Sequence, residues 1–290
     1  MHSSSKRVTL SPEAQTIGNA ECEEPEQGMA KNKSILMVVT NQDRIDAERP
    51  TGLWLEEFTT AYRRFLEAGY NIAVASPKGG KAAIDPQSFP SIDAEKNKDA
   101  IEILHSTLPL GRLGIGDFDA IYFVGGHGAK YDFPYHPDVN RMVSGFMEAG
   151  KVVSAICHGP AAFLGARLSN GSSVIKGRRV TAFTNEETRE MNRIQELPFL
   201  LKRLSHHWSM PRAESSISHV FRASLYTNVM WSYLESKMRE LGAKFEAAPN
   251  WQDHVIVDQK LITGQNPQST NSLACAVIRT LSDLPDIPQR

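Results

Sequence analysis

The 290-residue sequence has no apolar run approaching the ~20 residues of a membrane-spanning helix. Its first residues, MHSSSKRVTLSPEAQTIG, lack the apolar block of a secretory signal, and Glu21, Glu23, Glu24 and Glu26 argue against an organelle transit peptide. Charge of one sign is lacking too. Thirty-two basic against 33 acidic residues leave a formal net charge of −1, which gives no hint of a nucleic-acid partner or an anionic membrane. Cysteine is scarce: three residues, with no CxxC spacing, make neither a disulfide framework nor a zinc site. A reducing compartment is therefore expected, the cytoplasm first and the nucleus as a further location. What remains is ordinary globular composition, in a chain long enough to bury a full core.

The order of patterns suggests the architecture. Residues 1–32 are polar and without period, which predicts a disordered tail, and Met29 is an alternative start because the first strand follows at once. Strands are expected at Ser34–Thr40, Asn71–Ser76, Ala120–Val124, Lys151–Ile156 and Val180–Phe183, and a strand or hairpin at His254–Ile262. Helical patterns lie between them: Leu53–Ala68, with Trp54, Phe58, Tyr62 and Phe65 on one face and Gly69 as its stop, then Pro137–Ala149, a helix after Cys157, and Ser272–Leu281. Short apolar strands alternating with amphipathic helices imply an α/β fold, a doubly wound, mostly parallel sheet with helices on both faces. Such sheets carry their sites at the carboxyl ends of strands.

One stretch breaks the pattern. Residues 202–234 are serine-rich and have no sustained period. Without them, Leu200 and Leu201 join Glu235 onward into an amphipathic helix that Gly242 would stop. The expected organisation is thus a tail over 1–32 and one α/β domain over 33–290, with an atypical insertion at about 202–234. A retained intron and a binding lid are both open readings of it.

Cys157 follows the apolar run Val152–Ile156 and precedes His158-Gly159-Pro160, as at a nucleophile elbow. A helix beginning there would favour the thiolate and lower the thiol pKa. A buried structural thiol is the alternative. Adjacent His158 can pair with the thiol at a tight turn, or simply cap the helix. Cys22 and Cys275 read as bystanders. At ~100° per residue, Glu57 borders the stripe of Phe58, Ala61 and Phe65, where a carboxyl can acquire a raised pKa, whereas Glu56 faces further toward solvent. Two solvated glutamates are the plainer reading. Gly125-Gly126 permits close approach of a ligand and can supply oxyanion N–H donors, or can be only a turn; the spacing is not that of a dinucleotide loop. His206 and His207 do not define a metal site.

Five segments in order, TGLWLEEFTTAYRRFLEAGYNIAVASPKGG (51–80), FVGGHGAKYDFP (123–134), AICHGPAAFL (155–164), VTAFTNEE (180–187) and TGQNPQST (263–270), resemble the ThiJ/PfpI superfamily. The match is best with its chaperone-like branch of glutathione-independent glyoxalases, also called glyoxalase III or D-lactate dehydratases. The resemblance covers roughly 33–201 and 235–283. It implies a flavodoxin-like sheet, related to class I glutamine amidotransferases, though the His-x-Glu pair of amidotransferases is missing from TGQNPQST. It further implies that Cys157 is the nucleophile, Glu57 the glutamate facing it, and His158 the paired histidine. Glu187, in preference to Glu186, would orient that histidine. Gly125, Gly126 and the Cys157–His158 backbone would form the oxyanion and substrate site. The implied substrates are methylglyoxal and glyoxal, with no cofactor, metal, nucleic acid or membrane, and with a homodimer as a possible assembly. The implied activity is a hydro-lyase conversion to D-lactate in stress defence. A protein deglycase, a hydrolase or a holdase chaperone are the alternatives.

Overall fold

A computed structural model describes residues 15–17, 33–192 and 233–284 of the chain. Among the described residues, strands and helices alternate much as the apolar runs require. The chain passes from β1 (Gln15–Ile17) to β2 (Ser34–Val38), α1 (Leu55–Glu67) and β3 (Asn71–Ser76), then α2 (Lys98–Ile103) and β4 (Leu108–Pro109). There follow β5 (Ala120–Phe123), the short α3 (Ala129–Asp132), α4 (Pro137–Glu148), β6 (Val152–Ile156) and β7 (Arg179–Val180). A helix at 185–192, α5, precedes α6 (Leu234–Glu240), β8 (Lys244–Phe245), β9 (Val255–Asp258), β10 (Leu261–Gly264) and α7 (Thr270–Ser282).

Eight strands form one sheet in the order β1-β9-β10-β6-β5-β2-β3-β4, and β7 pairs with β8 outside it. The run from β10 to β4 is parallel, while β9 is antiparallel to both of its neighbours. Central strands buried on both faces read as unbroken apolar runs, because each pleat must fill a core on either side. On β5, Ala120 and Tyr122 face the core shared with Phe58 and Phe65 of α1 and Leu273 of α7, while Ile121 and Phe123 face that of Met142 and Phe146 of α4. α1 closes as its sequence predicts: Tyr70 N–H returns to Phe65 O at 3.1 Å, and Gly69 supplies the φ of +82° that the stop needs.

Several expectations are corrected. The tail is not without structure throughout, since Gln15–Ile17 pairs with Val255–Val257 as an edge strand; Met29 and the remainder of 1–32 lie outside the described residues. Val180–Phe183 is not a central strand: pairing stops at Val180, and the following residues turn into the site. His254–Ile262 is the hairpin β9–β10, turned at Gln259 with φ +59°. The segment after Cys157 is a single five-residue 3-10 turn, Gly159–Phe163, rather than a long helix. Of the 202–234 stretch, 202–232 lies outside the described residues. Its last residue, Leu234, is a buried member of α6, four positions before buried Met238. Joining Leu201 to Glu235 would place a leucine at that same position.

Candidate active site

The sheet reverses its winding between β2 and β5, and the loops beyond the carboxyl ends of β2, β5, β6 and β10 converge there. Cys157 is the first residue past β6. It holds φ +56°, a left-handed conformation that a non-glycine residue adopts only when its surroundings impose it. Two backbone bonds do so: Cys157 N–H donates to Gly264 O at 2.9 Å, and Phe183 N–H donates to Cys157 O at 2.8 Å. The thiol is thereby turned out of the strand, and the residue is 4 % exposed.

Glu57 reaches the sulfur from the first turn of α1. Its residue is fully buried, and its two oxygens make no hydrogen bond of regular geometry within the described residues. The thiol of Cys157 and the N–H of Gly125 lie against the carboxyl, but burial outweighs both and pushes its pKa up to about 8. Glu57 is therefore mainly a neutral acid at pH 7, able to give a proton. Burial also raises the half-buried Glu56 beside it. The approach is possible because residue 125 is glycine: a Cβ there would collide with Glu57 Oε2 and lie 2.8 Å from Cys157 Cβ. Gly126 holds φ +102° and points its N–H at the sulfur.

His158 Nδ1 lies 3.5 Å from Cys157 Sγ. Its ring is clamped between His127, centroids 4.8 Å apart, and Phe183, at 4.5 Å, with Trp251 against the far side of Phe183. Burial first, then the charge of Lys130 and the neighbouring His127, hold His158 well below the usual histidine range, so it is neutral and can accept a proton. His127 is driven down to about 3 by burial and by Lys130. Cys157 departs from expectation. Burial first, then Glu57, push the thiol well above its ordinary value. A five-residue 3-10 turn does not offset this with a helix dipole. The thiolate must form by proton transfer within the site, and Cys157 with Glu57 titrates as a coupled pair.

The acid expected behind His158 is not there. Glu186 is exposed, and Glu187, though fully buried, makes no hydrogen bond to His158, whose Nε2 has no partner among the described residues. Glu187 is instead a clamp. Oε1 accepts from Trp251 N–H at 3.0 Å, Gln265 Nε2 at 3.1 Å and Asn266 Nδ2 at 2.8 Å, while Oε2 accepts from Thr184 N–H at 3.0 Å. It ties the turn after β10 to the loop carrying Trp251, which itself holds φ +63°. Glu187→Ala leaves four donors unanswered, all of them in buried or part-buried bonds, and is expected to cost on the order of 3 kcal/mol or more. Glu187→Gln should fall between, since its amide keeps one acceptor oxygen and turns the other into a donor. Thermal unfolding of the three proteins checks the order.

Sequence reasoning missed His127, Lys130, Trp251 and the Gln265–Asn266 pair as parts of this site. The one available signal was Lys130, a lysine beside Ala129 and Tyr131 in the short run after Gly128. Among the described residues Cys157 is a free thiol, whereas Cys275 is disulfide-bonded. A single bond is not the disulfide framework that the spacing excludes, but it withdraws the cysteine argument for a reducing compartment; Cys22 lies outside the described residues. No group of three or more metal-binding side chains occurs among the described residues, nor any helix long and apolar enough to cross a membrane.

A buried cysteine in left-handed conformation beyond a central parallel strand, faced by a neutral carboxyl and a neutral imidazole, defines an elbow-thiol protein of the doubly wound class. Residues 51–196 match the DJ-1/PfpI family, and the chain belongs to that family. Similar proteins include the glutathione-independent glyoxalase hsp3101 of Schizosaccharomyces pombe, 26 % identical over 81 % of this chain and 89 % of that one. Glutathione-independent glyoxalase HSP31 of Saccharomyces cerevisiae is 24 % identical over 88 % of this chain and its own full length. Among solved structures, the Rapid Encystment Protein 24 KDa of Francisella tularensis is 32 % identical, with TM-score 0.69 over 86 % of this chain and 99 % of that one. Glyoxalase III of Candida albicans shares the fold at 22 % identity, with TM-score 0.66 over 87 % and 98 %.

Proposed function

We propose that this chain is a glutathione-independent glyoxalase that converts methylglyoxal and water to D-lactate. The observation that carries the reading is the placement of one acid and one base on a single buried sulfur: neutral Glu57 on one side and neutral His158 on the other. Opposed protonation roles set by environment are what aldehyde addition and proton shuttling require. The names of the similar proteins support the same chemistry.

In the proposed course, His158 takes the thiol proton and sulfur adds to the aldehyde carbon of methylglyoxal. Glu57 protonates the aldehyde oxygen, giving a hemithioacetal. His158 or Glu57 then moves the proton from that carbon to the neighbouring carbonyl carbon through an enediol, which leaves lactate joined to Cys157 as a thioester. Water attacks the thioester carbon; the N–H groups of Gly126 and His158 face the developing oxyanion. Lactate departs and the thiol regains its proton. The enzyme's own sulfur replaces the small-molecule thiol, so atoms and electrons balance without a co-reactant. The purified chain, freed of glutathione and treated with a chelator, should form D-lactate from methylglyoxal. Methylglyoxal loss without lactate would rule the reading out.

A further inference from the structure

A base paired with a nucleophile is oriented by a third group, and His158 has no polar one. Its Nδ1 faces the sulfur, while Nε2 is buried without a hydrogen-bond partner among the described residues. An imidazole engaged at one nitrogen only, 3.5 Å from a thiol, can turn about χ2 unless packing stops it. Two rings stop it. Phe183 lies against the imidazole with centroids 4.5 Å apart and a tilt of 35°, and His127 with 4.8 Å and 33°.

Phe183 is braced in turn by the half-buried Trp251, whose ring meets it edge to face at 5.5 Å and 62°. Filling core space does not by itself call for a left-handed backbone, yet Trp251 holds φ +63°. The contacts that impose it can be named. Trp251 N–H donates to Glu187 Oε1 at 3.0 Å. Asn266 Nδ2 donates to the same oxygen at 2.8 Å and to Gln252 O at 2.9 Å, so the chain is fixed on both sides of the indole. A continuous file of rings thus runs from a buried, hydrogen-bonded anchor at Glu187 to the imidazole beside the sulfur.

We propose that Trp251 is a positioning residue, which acts through Phe183 to hold the His158 imidazole against Cys157. The step it serves is transfer of the thiol proton to His158 Nδ1: the S–H bond breaks, an N–H bond forms, and a thiolate is left beside an imidazolium. No carboxylate touches that cation. The ring of Phe183 lies within the ~6 Å over which an aromatic face attracts a positive charge, and stands in for one. The inference deepens the proposed glyoxalase reading, in which His158 is the base, but the proton transfer itself needs no aldehyde and can be followed apart from turnover.

Alkylation of Cys157 by iodoacetamide at pH 7, followed by peptide mass spectrometry, reads how readily His158 takes the proton. The rate should fall about tenfold or more in Trp251→Leu and in His158→Gln, and be largely kept in Trp251→Phe, whose ring still meets Phe183. Trp251→Met should lose as much as Trp251→Leu, and it carries the test if the leucine variant does not fold. On a His158→Gln background Trp251→Leu should add no further loss, because both changes act through one imidazole. Methylglyoxal turnover should lose kcat in the same order, with KM altered by less than about threefold. In the wild type, the carbon-bound ring protons of His158, assigned by their absence in His158→Gln, should resonate upfield of those of an exposed histidine, as flanking rings require. An unshifted His158 ring would overturn the inference. So would an alkylation rate unchanged in the folded leucine or methionine variant, the full loss repeated on top of His158→Gln, or a folded Trp251→Phe as slow as Trp251→Leu. Failure to form lactate, with the thiol rates and the ring shift as expected, would remove the glyoxalase reading and leave the role of Trp251 standing.

Discussion

Dicarbonyl turnover should fall at least a thousandfold in Cys157→Ala, while the fold and its stability stay nearly unchanged. The thiol is the group proposed to carry the substrate covalently, so its loss removes the route rather than slowing one step. Structurally the change is small. Alanine keeps Cβ, and the elbow is held by backbone bonds to Gly264 and Phe183 rather than by the sulfur. Removing one sulfur atom from a site already containing unsatisfied polar groups should alter stability by only about 1 kcal/mol. Activity and thermal unfolding measured on the same preparation check both halves. Loss of activity together with collapse of the fold would leave the catalytic assignment without support, and residual turnover above a tenth of wild type would remove it.

Glu57→Gln should lose activity by roughly 10²–10⁴ and at the same time gain stability at alkaline pH. The sign follows from the raised pKa. The folded chain keeps the Glu57 proton up to about pH 8, whereas the unfolded chain releases it near the ordinary value of 4.5. Between these two values the folded state binds more protons, so wild-type stability falls as pH rises, and the loss is complete above about 8. Glutamine has no proton to lose. The variant's advantage should be absent below pH 4.5 and grow to a few kcal/mol, on the order of 2–4, by pH 9. Glu56→Gln should reduce activity at least tenfold less, because its side chain is half-exposed and does not reach the sulfur. Denaturation curves at several pH values, read beside activity, test the pairing of effects. Equal activity losses at the two positions would mean that the face of α1 had been assigned wrongly.

The parts of this fold that could be read beforehand are those set by local physics. Apolar runs such as AIYFV and KVVSAI mark strands buried on both faces, and Asn71–Ser76 forms a strand over the residues expected. The helical angle placed Glu57, rather than Glu56, against the core. Cys157 was legible because a nucleophile at the end of an apolar run is a local pattern. Tertiary relations were not. The partners of Glu187 come from residues 184, 251, 265 and 266, so its clamp exists only after β10, α5 and the Trp251 loop have met. Burial was the other gap. Spacing suggested a helix dipole that would lower the thiol pKa, but enclosure beside Glu57 reverses the sign. The edge pairing of Gln15–Ile17 was invisible because three polar-flanked residues carry no period, and only the exposed edge of β9 recruits them.

In the proposed reaction, substrate becomes bonded to Cys157 and leaves as lactate. Rapid mixing with carbon-labelled methylglyoxal, acid quenching and mass spectrometry of the peptide containing Cys157 test it most directly. One methylglyoxal-derived acyl group is expected on that sulfur, formed and lost at the rate of lactate production. Full turnover with an unmodified Cys157 at every quench time, or with the label on another residue at a competent rate, would contradict it.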